Sequence, residues 1–203
     1  MKIAVIGITG RVGSRVSDEL LRRGHQVTGI ARRVDEAQAR TGLTLYQGDA
    51  TDPKTLAVLL AGHDAVISAS RFVSTQAQPL IAALKQAGVP RLLVVGGAGS
   101  LEVAPGLMLI DTPEFPDVYK PEARSGVAFL DALRGEQQLR WSFLSPSALF
   151  EPGERRGQFR LGADQLLVDA HGKSWISMED YAVALVDELE SPKHERRRFT
   201  VGY

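Results

Sequence analysis

A glycine pattern directly after the first apolar segment constrains the fold more than any other feature of the chain. Residues 3–6, Ile-Ala-Val-Ile, predict a short buried strand, and glycines follow at positions 7, 10 and 13. Apolar residues then recur at helical spacing as far as Gly24, which predicts a helix directly after the turn. A strand, a glycine-rich turn and a helix in this order are typical of a phosphate-binding corner.

Each glycine of this turn has its own physical task. Gly7 can make the sharp turn out of the strand, Gly10 leaves room for a pyrophosphate, and Gly13 lets the helix and the strand pack closely. The free N–H groups and the positive end of the helix then face the anion. We therefore predict a dinucleotide site, against the alternative of a purely structural turn. The binding residues expected from the turn are Gly7, Thr9, Gly10, Arg11, Val12 and Gly13.

The end of the second predicted strand, Gln26 to Ala31, bears on the choice of cofactor. In a dinucleotide fold an acidic residue at this place binds the ribose hydroxyls, whereas arginine accommodates a 2′-phosphate. This chain has Arg32 and Arg33 here, with Arg11 as a third candidate and no acid before Asp35. A guanidinium suits phosphate through its forked donors and permanent charge. We predict NADP(H) as the preferred cofactor, with NAD(H) left open; the alternative is that these arginines are solvated surface.

Strands and helices alternate over the first hundred residues, and the strands are apolar enough to be buried on both faces. This pattern predicts the α/β class, a Rossmann-like doubly wound parallel sheet with right-handed crossovers. Ligands bind such sheets beyond the carboxyl ends of the strands. For Asp49 a turn or capping role is the alternative to a contact with adenine. The further cofactor residues expected at strand ends are Asp49, Ala50, Ser68, Ala69, Ser70, Gly96, Gly97, Ala98, Ser145 and Pro146.

The second half of the chain departs from this alternation. Three prolines between residues 101 and 120 predict a long loop that could cover a substrate, followed by a helix over 121–137. Short strands are expected at 166–169 and 174–176, before a helix capped by Ser177 and a closing strand over 199–203. We expect a single NAD(P)-binding domain over residues 1–203, with a small C-terminal substrate lobe at about 151–180.

Composition narrows the classes of function. Lys plus Arg total 24 and Asp plus Glu total 24, so a net charge of zero gives no reason to expect nucleic acid or an acidic membrane surface as partner. The absence of cysteine excludes disulfides, thiolate metal sites and a cysteine nucleophile. The four histidines follow no metal-ligand spacing, so no metal is expected. With neither a leader pattern nor a spanning apolar segment, we expect a cytoplasmic monomer or homodimer acting on a small molecule.

Several stretches together resemble a known group. Residues 1–13, Gly48-Asp49, Arg91 to Ser100 and the tail Phe-Thr-Val-Gly-Tyr resemble the atypical short-chain dehydrogenase/reductases, in particular the NmrA-like and biliverdin-reductase-B-like group. Leu92 to Leu101 and Asp111 to Pro116 are similar to bacterial proteins called NADH-flavin reductases. The resemblance spans essentially the whole chain. It implies a Rossmann fold, a nicotinamide cofactor, and FMN, FAD or a similar planar molecule as the acceptor.

One departure from the wider superfamily concerns the proton donor. Those enzymes place a tyrosine four residues before a lysine, whereas Tyr119 and Lys120 are adjacent here and Ala123 stands four after the tyrosine. One helical turn therefore does not bring the pair together. A ketone needs a positioned acid, but a flavin or quinone ring delocalises the arriving charge and can take its protons from water.

These observations leave two main hypotheses, because a third, an epimerase or dehydratase of a nucleotide sugar, is disfavoured by the missing Tyr/Lys pair that such enzymes generally keep. The first is an NAD(P)H-dependent oxidoreductase that passes hydride from NADPH to a flavin or a similar planar acceptor. The second is a non-catalytic NADP(H)-binding redox sensor of the NmrA type, which also explains the missing pair. Ser100 and Tyr119 are the candidate catalytic residues, and Lys120 and Phe150 the candidate substrate contacts; for each, an ordinary loop role is the alternative.

Overall fold

The computed structural model describes residues 1–34 and 40–203. Its strands are β1 (Lys2–Ile6), β2 (Gln26–Ala31), β3 (Leu43–Gln47), β4 (Ala65–Ser68), β5 (Arg91–Val95), β6 (Glu102–Ala104), β7 (Leu107–Met108), β8 (Arg140–Ser145), β9 (Leu149–Glu151), β10 (Arg160–Gly162), β11 (Trp175–Ser177) and β12 (Arg197–Gly202). Its α-helices are α1 (Arg11–Arg22), α2 (Pro53–Leu60), α3 (Ala77–Ala87), α4 (Lys120–Arg134) and α5 (Met178–Glu190).

Eight of these strands form the central sheet, in the order β10-β12-β8-β5-β4-β1-β2-β3. All neighbouring pairs are parallel except β10 with β12. Because β1 pairs with β2 on one side and β4 on the other, the winding reverses between β1 and β4. This reversal opens a crevice at the carboxyl ends of the strands. The predicted Rossmann-like fold class is confirmed.

The core lies on both faces of the sheet. Successive side chains of a strand point to opposite faces, so Ile3 and Val5 pack with α1 and α5 while Ala4 and Ile6 pack with α2, α3 and α4. Helices on both faces account for the continuous apolar strands in the sequence.

Two local signals in the sequence have the structural effect expected of them. The carboxylate of Asp52 caps α2 by accepting from the backbone N–H groups of Lys54 and Thr55, and Pro53 occupies the first helical position. Gly88 ends α3 in the left-handed conformation, at φ 71°. Asp52 and Pro53 therefore fix the start of α2, and Gly88 fixes the end of α3.

The segment between β5 and α4 is more ordered than the predicted loop. It contains the antiparallel hairpin of β6 and β7, followed by two short 3-10 turns at Leu109–Asp111 and Asp117–Tyr119. Leu109 donates its N–H to the carbonyl of Leu101 at 2.8 Å, which closes this segment on itself. Helix α4 then begins at Lys120 and ends at Arg134, earlier than the predicted range of 121–137.

The strand predicted over residues 166–169 is wrong. This segment bonds to β6 only at its start, where Leu166 donates its N–H to the carbonyl of Glu102, and it then enters a turn. The carboxylate of Asp169 stabilises that turn by accepting from the N–H groups of His171 and Lys173. The additional strand in this part of the chain is instead β10, which pairs with β12. The strand expected at 174–176 is β11, which pairs in parallel with β9.

Within the described residues, no helix combines the length and apolar character that crossing a bilayer would require.

Candidate functional site

The glycine turn links three strands of the sheet. Gly7 donates its N–H to the carbonyl of Ile30 at 2.8 Å and has a φ of +82°, a conformation that favours glycine. A Cβ on Gly7 would lie 2.7 Å from the carbonyl oxygen of Ala69, so a side chain is also excluded by the strand beside it. A Cβ on Gly13 would lie 2.2 Å from the carbonyl oxygen of Gly7. Helix α1 therefore packs directly on the turn.

Helix α1 presents its N-terminus beside this turn. Its N-cap is Gly10, and no described side chain hydrogen-bonds to the cap. The first intrahelical bond runs from the N–H of Ser14 to the carbonyl of Gly10 at 3.0 Å. The N–H groups of Arg11, Val12 and Gly13 precede that bond and have no carbonyl of their own helix to reach. This arrangement suits an anion such as a pyrophosphate.

The end of β2 supplies positive charge on the other side of the turn. Arg32 and Arg33 are both exposed and both border the same cavity as Gly7. Asp49 follows β3 at this edge, and its carboxylate accepts from both the N–H and the hydroxyl of Thr51 at 2.9 Å. These bonds, with a smaller contribution from the Arg32 guanidinium, hold the pKa of Asp49 below its usual value. Asp49 thus has the turn role considered from sequence and also borders the cavity.

The cavity formed by these elements has a volume of about 710 Å³. Ligand pockets typically measure about 300–1,000 Å³. Of the cofactor residues expected from sequence, it brings together Gly7, Thr9, Gly10, Arg32, Arg33, Asp49, Ala50, Ala69 and Ser70. Lining residues that sequence reasoning did not identify are Ile6, Ile30, Ala31, Gly48, Thr51, Arg71, Ser74 and Thr75.

The residues after β4 are the most informative of those that were missed. Arg71 directly follows the small residues Ala69 and Ser70, which the sequence predicts to be a strand end near the cofactor, and Ser74 and Thr75 follow after Phe72 and Val73. Their position after a central strand is the signal that could have found them, because the carboxyl ends of parallel strands share one edge of the sheet. Arg71 adds a third arginine to the border of the cavity.

The remaining expected cofactor residues lie outside this cavity lining. Arg11, Val12 and Gly13 form the first turn of α1, and Ser68 is buried in β4. Gly96 follows β5, where a Cβ would lie 2.4 Å from Cε1 of Phe143. The others are Gly97 and Ala98, which are partly exposed after β5, and Ser145 and Pro146, which are buried at the end of β8.

The residues around Gly96 are tied to α5. The buried hydroxyl of Tyr181 donates to the carbonyl of Leu144 at 2.6 Å and accepts from the N–H of Gly96 at 3.2 Å. Burial raises the pKa of this phenol, so it stays protonated in the physiological range. The Phe150 ring packs on the Tyr181 ring with centroids 4.7 Å apart. Phe150 therefore belongs to the boundary between β9 and α5.

Ser100 belongs to a buried polar cluster. Arg198 donates to the hydroxyl and to the carbonyl of Ser100, each at 3.3 Å. The same guanidinium pairs with the carboxylate of Asp164, with its Nε at 2.7 Å from Oδ1. Through Arg198, Ser100 thus joins the segment after β5 to β12 and to Asp164.

Tyr119 and Lys120 lie at the start of α4. Tyr119 is the N-cap residue, and 62% of its surface is exposed. The Nζ of Lys120 lies 2.7 Å from Oδ1 of Asp117, and this pairing lowers the pKa of the Asp117 carboxyl. Their adjacency places the two side chains on different sides of the helix start, as the spacing indicated.

A Rossmann sheet with a glycine turn at its reversal point and arginines at the end of β2 defines a dinucleotide-binding protein. The chain belongs to a family described as NAD(P)H-binding, whose model matches residues 7–192. This membership confirms the resemblance to the atypical short-chain dehydrogenase/reductases.

Two relatives cover nearly the whole chain. The uncharacterized protein YwnB of Bacillus subtilis is 40% identical over 208 aligned positions, and the alignment covers 99% of this chain and 98% of that one. An NAD(P)H azoreductase of Xenophilus azovorans is 29% identical over 98% of this chain and 67% of its own length.

Two solved structures are similar over all of this chain. A Bacteroides thetaiotaomicron protein, provisionally described as an epimerase, shares 42% identity with a TM-score of 0.95 and is covered over 96% of its length. A Streptococcus pneumoniae protein, provisionally described as an NADH-flavin reductase, shares 36% identity with a TM-score of 0.86 and is covered over 99%.

Proposed function

We propose that this protein is an NADPH-dependent reductase that transfers hydride to a flavin or a similar planar acceptor. The observation that carries the proposal is the cavity in which the glycine turn, the arginines after β2 and the segment after β4 face one another. The N–H groups at the start of α1 would bind the pyrophosphate, and the absence of side chains at Gly7 and Gly10 would let it approach.

The preference for NADPH over NADH is supported by the charge at the end of β2. Arg32 and Arg33 are exposed, border the cavity and carry the forked donors that suit a 2′-phosphate. The first acid after this strand is Asp35, which lies outside the described residues. No acidic side chain therefore stands among the described residues directly after β2 to hold the ribose hydroxyls of NADH.

The proposed acceptor class is supported by the start of α4 and by the names of relatives. Tyr119 and Lys120 lack the one-turn spacing that a carbonyl reductase uses to supply a proton. An NAD(P)H azoreductase and an NADH-flavin reductase, by their names, act on conjugated acceptors. When bound, the dinucleotide supplies the hydride. One hydride and one proton from water convert an oxidised flavin to its two-electron reduced form.

Four residues are the candidates for contacts with the acceptor: Ser100, Tyr119, Lys120 and Phe150. Ser100 is held by Arg198, Lys120 pairs with Asp117, and Phe150 packs on Tyr181. The exposed ring of Tyr119 is free of such commitments within the described residues. We therefore assign the main acceptor contact to Tyr119.

The test is oxidation of NADPH by purified protein in the presence of FMN, FAD, a quinone or an azo dye, each added separately. Turnover that depends on the acceptor is the expected result. If the protein binds NADPH in a direct titration but turns over with none of these acceptors, the reductase proposal is wrong. Different affinities for NADP⁺ and NADPH without turnover would instead favour a redox sensor.

A further inference from the structure

The wall of the cavity after β4 is held from outside by a side chain of α4. The carboxylate of Glu122 accepts from the N–H of Phe72 at 2.7 Å through Oε1 and from the N–H of Val73 at 3.3 Å through Oε2. Its Oε2 also lies 3.4 Å from Nε of Arg71. One carboxylate thus contacts three consecutive residues, of which Arg71 borders the cavity itself and the other two lie between Arg71 and the lining residue Ser74.

The same segment is anchored in the core by an aromatic ring. Phe72 is buried, and its ring centroid lies 5.2 Å from that of Phe129 and 5.9 Å from that of Phe143. Helix α4 makes room for the ring at Gly126, where a Cβ would lie 3.0 Å from Cδ2 of Phe72. An apolar contact and a charged contact from one helix therefore orient this segment.

The segment has few hydrogen bonds of its own. The N–H and the hydroxyl of Ser74 both donate to the carbonyl of Arg71, at 3.1 and 3.0 Å. These bonds close a local turn but do not attach it to the sheet. The attachment comes from Glu122 and Phe72 on one side, while Arg71, Ser74 and Thr75 face the cavity on the other.

We infer that Glu122 is a positioning residue for the dinucleotide. It does not border the cavity, but it holds the backbone N–H groups of Phe72 and Val73 and so keeps the wall in the conformation that binds. The inference rests on the proposed cofactor function of the cavity. If this wall were free to leave that conformation, the apparent affinity would fall by the fraction of time that the competent conformation is populated.

Two variants at Glu122 remove its hydrogen bonds to the N–H groups of Phe72 and Val73 in part or completely. Glu122→Gln keeps the size of the side chain but replaces one of the two acceptor oxygens by an NH2 group, so one of the two backbone N–H groups faces a donor instead of an acceptor. Glu122→Ala removes both acceptors. We expect the Kd for NADPH to rise about threefold in E122Q and about tenfold in E122A, because hydrogen bonds to a charged group are being lost.

The matched control is Asp131→Asn on the exposed side of the same helix, where Asp131 pairs only with Arg134 among the described residues. D131N should bind NADPH as the parent does. Amide hydrogen exchange gives a readout that general destabilisation would not produce: exchange at Phe72 and Val73 should accelerate in both Glu122 variants, while exchange in α4 stays as in the parent. The kcat at saturating NADPH should stay unchanged.

Whether Glu122 acts through the backbone of this segment or through the Arg71 side chain is tested in an Arg71→Ala background. If Glu122 acts through the backbone, E122A raises the Kd by the same factor in R71A as in the parent. If that factor disappears in R71A, or if both Glu122 variants bind NADPH as the parent does, the inference is wrong. Failure of the parent itself to bind NADPH would overturn the proposed function, so the two failures are distinguishable.

Discussion

Arg155 donates to both carboxylate oxygens of Glu19, with Nε and Nη2 each at 2.8 Å. Glu19 lies on α1, the helix that begins at the glycine turn, and Arg155 lies in the segment between β9 and β10. Arg23 donates to the same carboxylate from one turn along the helix, also at 2.8 Å. This pairing attaches the segment between β9 and β10 to the proposed cofactor-binding helix.

The acid stability of the protein should depend on Glu19. Hydrogen bonds from Arg155 and then Arg23 outweigh the opposing effect of burial and lower the pKa of Glu19 from 4.5 to about 2. A carboxyl with a lowered pKa stabilises the folded state above the unfolded pKa and loses this contribution as the pH falls. Between pH 4.5 and about 2, the free energy of unfolding should therefore fall more steeply in the parent than in Glu19→Gln.

Urea denaturation across this pH range measures the effect. The control is Glu154→Gln in the same segment between β9 and β10. The side chain of Glu154 is 81% exposed, so this variant should show the same fall of the free energy of unfolding with pH as the parent. Equal slopes in the parent and E19Q would contradict the prediction.

The close packing of α1 on the turn predicts a large effect of a single methyl group at Gly13. A Cβ there would lie 2.2 Å from the carbonyl oxygen of Gly7, so Gly13→Ala must displace the start of the helix. We expect the free energy of unfolding to fall by about 1–3 kcal/mol, as in overpacked cores. NADPH binding should weaken as well, because the N–H groups of the first turn move.

The control for this change is Gly135→Ala at the end of α4. Gly135 has a φ of −78°, and the nearest atom to a Cβ there lies at 3.5 Å. The free energy of unfolding of G135A should stay within about 0.5 kcal/mol of that of the parent. Denaturation and NADPH titration of both variants provide the comparison; a G13A protein that behaves like G135A would show that the turn tolerates a side chain.

The choice between cofactors should depend on the arginines after β2. The double variant Arg32→Ala/Arg33→Ala should raise the Kd for NADPH about tenfold or more, because charge-assisted bonds to a phosphate are worth ~1.5–3 kcal/mol each. The Kd for NADH, which has no phosphate there, should change little. Raised salt should weaken NADPH selectively, since these side chains are exposed.

The matched control is Arg134→Ala, an exposed arginine at the end of α4 that pairs with Asp131. Isothermal titration with each cofactor measures the effect. A double variant that binds both cofactors as the parent does would identify Arg32 and Arg33 as surface residues, and a parent that prefers NADH would contradict the NADP(H) assignment.

The acceptor contact proposed for Tyr119 predicts that changing this residue affects the KM values for FMN and for NADPH differently. Tyr119→Ala removes an exposed ring at the start of α4 and should raise the KM for FMN about two- to tenfold, the usual range for a lost aromatic contact. The KM for NADPH should stay unchanged. Tyr119→Phe should behave as the parent if the ring stacks on the acceptor, and as Y119A if the hydroxyl carries the contact. Steady-state kinetics with each substrate varied in turn measure these KM values. An unchanged KM for FMN in both variants would show that Tyr119 does not contact the acceptor.

The predictions that succeeded from sequence depend on neighbouring residues. The strand, the turn and the helix of the glycine corner follow one another in the chain without interruption. The strand prediction over 166–169 was wrong. Its apolar residues resemble a strand locally, but the segment meets β6 only through a single bridge at its start and has, among the described residues, no neighbouring strand to pair with along its length. Whether a short apolar segment becomes a strand depends on a partner that lies elsewhere in the chain.

Local sequence was sufficient for the strand, turn and helix of the glycine corner and for the parallel sheet, because glycine conformation and apolar periodicity act over a few residues. Folding in three dimensions was needed to bring Arg71, Ser74 and Thr75 to the border of the cavity. It also joined Glu122 to Phe72 across 50 positions and Arg155 to Glu19 across 136. Such contacts depend on which strand ends and helices become neighbours in the sheet, and no periodicity within a single segment contains that information.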